Sequence, residues 1–460
     1  MTFSHRVPHN CDTMTSQYRI IDKSSQESMM SELDVFNPGF SKTSVRDGEV
    51  FELPPEIHPN GLSPLTFEIT GNSTFYIDLS NTLLHLQCKI MKQDGTKLTD
   101  TAADVKIAHV TNLLHSMISN IKIYMNQKEI ESNPNYAYKA YLSTILNHGS
   151  DAKNSHLLAA KWINDDMEEE HAANFSGSQT AKMKARAAVL AGSKTLDMIG
   201  RPITPLFSQG QYLIPGLNLR IEIEFNNPRS LLQNVEKDLT TEYKIDIVKA
   251  ALLVRRLQVH PTIAASHAKM LDDGRKAKYA INRTDVQFYT ISPGRQNQNI
   301  TLINNKQEAK IIILGLIDHT AKNGSYDHSP FKFENFGLSS INIMVNGSYV
   351  LKKPLQLDFE NDIYIRAYMN LLSVSGKSLT DAGNNISLES FKNSLCLYAF
   401  DLTSDWCHGE GTHLLRSSDT IAEFTFAAPL ENTLSVMCYY EFDDMIRIDK
   451  MRTAEIASKS

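Results

Sequence analysis

"SSINIMVNGSYV", Ser339 to Val350, is the stretch on which the fold turns. Ile341, Ile343 and Val345 alternate with residues of the opposite face, the period of a half-buried strand. Asn346-Gly347 then supplies a dipeptide that tolerates the positive φ angles of a tight hairpin. About 220 positions earlier, "SNIKIYMNQKEI", Ser119 to Ile130, writes the same thing. Ile121, Ile123 and Met125 alternate in the same register, and Asn126 stands where Asn346 stands. One chain carries the same strand and turn twice.

The copies stay parallel downstream. "NPNYAYKAYLSTILNHG" places Tyr138, Tyr141, Leu142 and Ile145 at helical spacing. Asn133 is expected to cap this helix, Pro134 to occupy its first position and Gly149 to supply a left-handed stop. In the second copy, "LDFENDIYIRAYMNLLSVSG" sets Tyr364, Tyr368, Leu371 and Leu372 on one face, with Asn361 as expected cap and Gly376 as stop. "YKAYL" (Tyr138–Leu142) and "IRAYM" (Ile365–Met369) correspond position by position.

Around these units lie further strand patterns. "LTFEI", "FYIDLSNTLLHLQCKIM", "NLRIEIEF" and "YKIDIVKAALLVRRLQV" belong to the first half, interrupted by an Ala- and Lys-rich helical excursion. "TDVQFYTI", "QNITLI", "AKIIILGLI", "LCLYAFDL", "TIAEFTFAAP" and "TLSVMCYYEFDDMIRID" belong to the second. "AKIIILGLI" is a continuous apolar run, as a strand buried on both faces requires. Many short strands, turn signals between them and no βαβ alternation predict an all-β fold with a few inserted helices, built as two tandem jelly-roll β-sandwiches. The expected division is an N-terminal arm (1–48), a first jelly roll with helical insertions (49–262), a helical linker (263–278), a second jelly roll (279–450) and a C-terminal tail (451–460).

Composition narrows the function. Of 460 residues, 42% are apolar and 21% charged, the balance of a soluble globular chain. No apolar run approaches the roughly 20 residues of a membrane span. The first residues, "MTFSHRVPHNCDTMTSQYR", carry no apolar signal core. Five scattered cysteines without a C-x-x-C pair point to reduced thiols rather than a disulfide framework or a zinc site. A net charge of −6 gives no electrostatic footprint for direct nucleic-acid binding.

Motifs with chemical potential are few, and each has a plainer reading. "SVSGKS" (Ser373–Ser378) resembles the end of a phosphate loop, but Leu371 stands where the pattern needs glycine, and the stretch follows a helix. "DDMEEEH" (Asp165–His171) gathers carboxylates beside an imidazole; consecutive acids on a helix diverge and read as a solvated face. "DWCHGEGTHLL" collects Cys407, His408 and His413 without metal-ligand spacing, and its glycines read as a loop. "VRRLQVH" (Val254–His260) and "LKKP" (Leu351–Pro354) are small basic clusters best read as solvated strand ends. The tyrosine stripes read as packing against sheets before they read as a ligand shelf. The sequence therefore yields no catalytic, cofactor-binding or metal-binding residues, and the chain is expected not to be an enzyme.

Five segments carry a resemblance: "NPNYAYKAYLSTILNHGSDAK", "GQYLIPGLNLRIEIEF", "SPFKFENFGLSSINIMVNG", "AFDLTSDWC" and "FAAPLENTLSVMCYYEFDDMIRID". They are similar to the double jelly-roll major capsid proteins of Polinton (Maverick) elements and adintoviruses, from about Phe51 to Arg452. The first 48 residues and the excursion near 176–195 have no counterpart. The resemblance implies a homotrimer of pseudo-hexameric outline, a hexon-like capsomer tiling an icosahedral capsid around double-stranded DNA. It implies as partners further copies of the chain, then penton and minor capsid proteins, with no cofactor and no sequence-specific nucleic-acid contact. It implies residence in the virion, after synthesis in the host cytoplasm and assembly in the nucleus. The competing expectation is a carbohydrate-binding or glycan-processing β-sandwich, which needs an exposed aromatic platform or two convergent carboxylates.

Overall fold

The computed structural model describes residues 31–33, 35–36, 42–163, 181–235, 241–404 and 413–459. The first half contributes β1 (Val45–Leu53), β2 (Leu65–Ile69), β3 (Tyr76–Lys92), β4 (Ile107–His109), β5 (Ile118–Met125), β6 (Lys128–Ser132), β7 (Leu196–Gly200), β8 (Leu219–Phe225), β9 (Leu232–Asn234) and β10 (Tyr243–Val259). The second half contributes β11 (Ala277–Ile291), β12 (Asn297–Gln307), β13 (Ile311–Asp318), β14 (Leu338–Val345), β15 (Ser348–Tyr349), β16 (Leu355–Gln356), β17 (Leu397–Asp401), β18 (Ser417–Phe426), β19 (Leu434–Ile448) and β20 (Ala454–Ile456).

Their pairing repeats strand for strand. One sheet of the first half runs β1-β10-β3-β7 and its partner β2-β8-β5-β6; the second half gives β11-β19-β13-β17 and β12-β18-β14-β15. Reading each set in chain order, the same eight steps are taken twice, every neighbour antiparallel. Two facing four-stranded sheets on this path are a jelly roll, so the fold is a double jelly roll. The β4-β9 pair, β16 and β20 are additions to the repeated plan.

Alternation explains the two-layer cores. Leu65, Phe67 and Ile69 of β2, Ile221 and Ile223 of β8, and Ile121, Ile123 and Met125 of β5 are all buried, with polar residues between them facing outward. Each such side chain contributes about 1.5–3 kcal/mol by leaving water. The seven residues Ile311–Ile317 of β13 are buried without a break. One face joins its own core. On the other lies Phe333, so close that a Cβ on Gly315 would come within 2.5 Å of its ring. β1 has no such pattern, since five consecutive residues are exposed, and it begins at Val45, within the stretch assigned to the arm. β20, in the stretch assigned to the tail, pairs with β19.

Both hairpin turns have the conformation their sequence requires. Asn346 and Gly347 have φ of 48° and 81°, Asn126 and Gln127 of 46° and 70°. In each, the asparagine also ties the turn to the next strand over. Asn126 donates its backbone N–H to Asn218 O and accepts from Asn218 N–H through Oδ1, both at 3.0 Å. Asn346 does the same with Asp419, both at 2.9 Å. The repeated asparagine is thus an anchor as well as a turn former.

The helix caps depart from expectation. The first helix spans Tyr136–Asn147, preceded by Asn135 in the left-handed region, so Asn133 and Pro134 lie outside it. Asn133 is instead held by the strand end: its N–H donates to Ile121 O and Asn120 Oδ1, each at 3.1 Å. Gly149 is extended rather than left-handed and comes close to Gly383 of the second sandwich. The second helix spans Ile365–Val374 with Tyr364 at its cap; Asn361 bonds Asp358 in the preceding turn. Gly376 does stop this helix, at φ 65°. A helix at Pro261–Asp272, begun by Pro261 and the accepting His260 side chain, connects the two sandwiches.

Candidate functional site at the junction of the sandwiches

The two tyrosine-bearing helices have different surroundings. The first is wedged between the sandwiches, with ten of its twelve residues buried. Tyr138 meets Phe288 edge-on at 4.8 Å and Phe331 at 5.5 Å. Tyr141 stacks on Phe331 at 4.5 Å and on Trp162 at 5.8 Å. Phe288, Phe331 and Phe333 all belong to the second half, so the stripe packs against the other sandwich rather than only its own sheet. Around it, Asn135 Nδ2 donates to Val286 O at 3.0 Å and Lys153 Nζ to Asn384 O at 2.7 Å. Burial draws the Lys153 ammonium down to about 8. Tyr279 OH accepts from Ile214 N–H at 3.0 Å and donates to Tyr212 O at 3.2 Å. The contact continues at the C-terminal side, where Arg452 Nε donates to Pro215 O at 2.7 Å and Arg452 O accepts from Asn126 Nδ2 at 2.8 Å.

The second helix buries only Ala367, Leu371 and Val374 of its ten residues. Tyr364 stacks on Phe359 at 5.0 Å, and Tyr368 meets Phe391 at 5.6 Å, all within its own sandwich. Its outward side presents Ile365 at 48% and Met369 at 41% exposure, beside Ile363 at 58%. By the correspondence of "YKAYL" with "IRAYM", Ile365 is the counterpart of Tyr138 and Met369 of Leu142. In the first copy both positions are buried, Tyr138 against Phe288 and Phe331 of the neighbouring sandwich.

The remaining candidates are placed individually. Gly376 and Lys377 of "SVSGKS" follow a helix C-terminus, where free carbonyls repel phosphate. "DDMEEEH", Cys407 and His408 lie outside the described residues. His413 directs both its N–H, at 2.9 Å, and Nδ1, at 2.8 Å, to Asp443 Oδ2. Arg255 pairs with Asp78 at 3.3 Å and Arg256 lies over the Phe51 ring at 3.5 Å, so both are engaged within the first sandwich. Lys352 and Lys353 are exposed. Cys88, Cys396 and Cys438 are buried free thiols, and burial pushes Cys88 up to about 12. Among the described residues, no three His, Cys, Asp or Glu side chains are grouped to hold a metal ion, and no helix is long and apolar enough to cross a membrane.

No family model matches the chain. It is 24% identical over 403 residues to the Caenorhabditis elegans protein described as uncharacterized protein F54H12.2, an alignment covering 86% of this chain and 93% of that one. The cryo-EM structure of the Sputnik virophage contains a chain of similar fold, at TM-score 0.65 and 10% identity over 94% of this chain and 93% of that one. The mavirus major capsid protein superimposes at TM-score 0.51 and 12% identity, covering 98% and 97% of the two chains. At such identities the likeness is one of fold: the double jelly roll.

Proposed function

We propose that the protein is a major capsid protein of the Polinton and adintovirus type, acting as a structural component rather than an enzyme. Three chains form a homotrimeric capsomer of pseudo-hexameric outline, and capsomers tile an icosahedral shell around double-stranded DNA. The observation that carries this reading is the eight-strand path taken twice in the same order, together with a fold likeness to a mavirus major capsid protein along nearly the whole chain. Two similar units per chain, three chains to a ring, approximate six equal positions.

The exposed apolar side of the second helix supports the same reading. Inside one chain, the second sandwich covers Tyr138; in a closed ring, the first sandwich of a second copy covers Ile365 and the adjoining Met369 in the equivalent way. Penton and minor capsid proteins complete the shell. Nuclear assembly and the division into arm, two jelly rolls, linker and tail belong to the same proposal. Light scattering on the purified chain tests it. A trimer is expected at micromolar concentration, and Ile365→Glu with Met369→Glu is expected to yield folded monomers with unchanged far-UV circular dichroism. A wild-type monomer that assembles at no salt concentration overturns the capsid reading; a trimer that survives both substitutions overturns the role of this face.

A further inference from the structure

Beneath the first helix, three side chains of complementary chemistry share one buried site. Glu131 is the penultimate residue of β6, Asn133 is the first residue beyond the strand, and Lys139 comes from the first full turn of the helix. Their exposures are 9%, 4% and 3%. Lys139 Nζ donates a hydrogen bond directly to Asn133 Oδ1. Asn133 Nδ2 donates to Glu131 Oε1 at 2.7 Å, and the same Oε1 lies 3.6 Å from Lys139 Nζ. An amine, a carboxamide and a carboxyl group are therefore grouped together, the carboxyl hydrogen-bonded to the amide nitrogen and within ion-pair distance of the amine.

We infer that Lys139 and Asn133 become joined by an intramolecular isopeptide bond, with Glu131 carrying the proton between the two nitrogens. Lys139 Nζ, as the free amine, attacks Asn133 Cγ; the Nζ–Cγ bond forms and the Cγ–Nδ2 bond breaks. Glu131 first takes a proton from the ammonium, passes it to Nδ2 as that nitrogen leaves, and takes a second from Nζ. The products are one secondary amide, one ammonia and a protonated Glu131, with no oxidant or added reactant. The protein supplies proximity and exclusion of water, the two conditions under which an unactivated amide becomes reactive.

The surroundings favour the required protonation states. Burial raises the Glu131 carboxyl and lowers the Lys139 ammonium, opposed in each case by the attraction of the other. From the second sandwich, Asp285 pulls Lys139 up and Arg283 pulls it down. The single backbone N–H of Asn133, shared between Ile121 O and Asn120 Oδ1, fixes the main chain beneath the amide, whose Nδ2 is held by Glu131 Oε1. A cleft of about 270 Å³ between the sandwiches has Lys139, Ser143, Thr204 and Thr284 in its lining, which gives ammonia a way out. Pro134 lacks the backbone N–H through which an asparagine ordinarily cyclises onto the next residue, so loss of ammonia at Asn133 by that competing route is blocked.

Mass spectrometry of the purified full-length protein tests the bond. The chain is expected to be lighter than its sequence by about 17 Da, one ammonia, as amide formation by an amine nucleophile requires. In a tryptic digest under denaturing conditions, Glu129–Lys153 should appear as one peptide, uncut at Lys139 and lighter by the same amount. Glu131→Gln, close in shape but unable to carry the proton, should restore full mass and cleavage. Full mass and complete cleavage at Lys139 in the wild-type protein overturn the inference. A Glu131→Gln protein that still loses ammonia at Asn133 overturns the part given to Glu131. Neither result depends on whether the chain assembles, so the outcome is independent of the capsid reading.

Discussion

Tyr138 and Ile365 occupy the same place in two copies of one motif, yet the first is buried between sandwiches and the second is 48% exposed. Leu142 and Met369 differ in the same way, at 0% and 41%. Even the backbone ahead of each helix agrees, with Asn135 and Asp362 both left-handed at φ 60° and 57°. What separates the copies is therefore context. A duplicated unit presents one face twice, and a single chain can cover only one of the two.

The sharpest test of that difference is stability. Tyr141→Ala removes a ring stacked on Phe331 and Trp162 and should cost about 3–5 kcal/mol. Tyr368→Ala removes a half-buried ring and should cost about 1–2 kcal/mol. Denaturant midpoints of the two variants check this, and equal losses would break the comparison.

Acid should act on the first sandwich next. His109 and His115 are fully buried there, and burial lowers both to about 4. The folded state thus binds fewer protons than the unfolded chain between pH 6.5 and 4. Their contribution is complete above 6.5 and is lost as pH falls toward 4, up to about 3 kcal/mol for each. Unfolding midpoints at pH 7 and pH 5 should differ less in a His109→Gln, His115→Gln protein than in wild type. Equal slopes would remove these histidines from the account.

The smallest effect concerns the hairpins. Gln127 sits at φ 70° where the other copy has Gly347 at 81°. Gln127→Gly should stabilise by about 1 kcal/mol, and Gly347→Gln should destabilise by a similar amount. Shifts of the same sign would mean that the turns are not equivalent.

The repeat was legible because hairpins are written locally: alternating side chains and one turn residue specify them. β13, with its unbroken apolar run, was legible for the same reason. The helix starts were not. Asn133 looked like a cap, but its side chain is held by Glu131 and Lys139, a tertiary choice that no local pattern reveals. Lys139 itself is a residue expected in water, and nothing beside it in sequence signals that a second sandwich will bury it. β1 is not legible because its run of exposed residues leaves it without a period, though its pairing with β10 is extensive. The candidate chemistry was invisible for a related reason: Glu131, Asn133 and Lys139 match no common motif, and only their shared burial gives them meaning.

Arg452 has a consequence for the order of folding. Its carbonyl receives the Asn126 amide across 326 positions of chain, while its guanidinium reaches Pro215. Contacts of such separation carry the greatest closure cost and consolidate late. The tip of the first hairpin, already tied to Asn218, is therefore expected to gain its second fastening late, by a strap from the far side of the molecule. Slowed hydrogen exchange near Asn126 would timestamp the moment the two halves become one body.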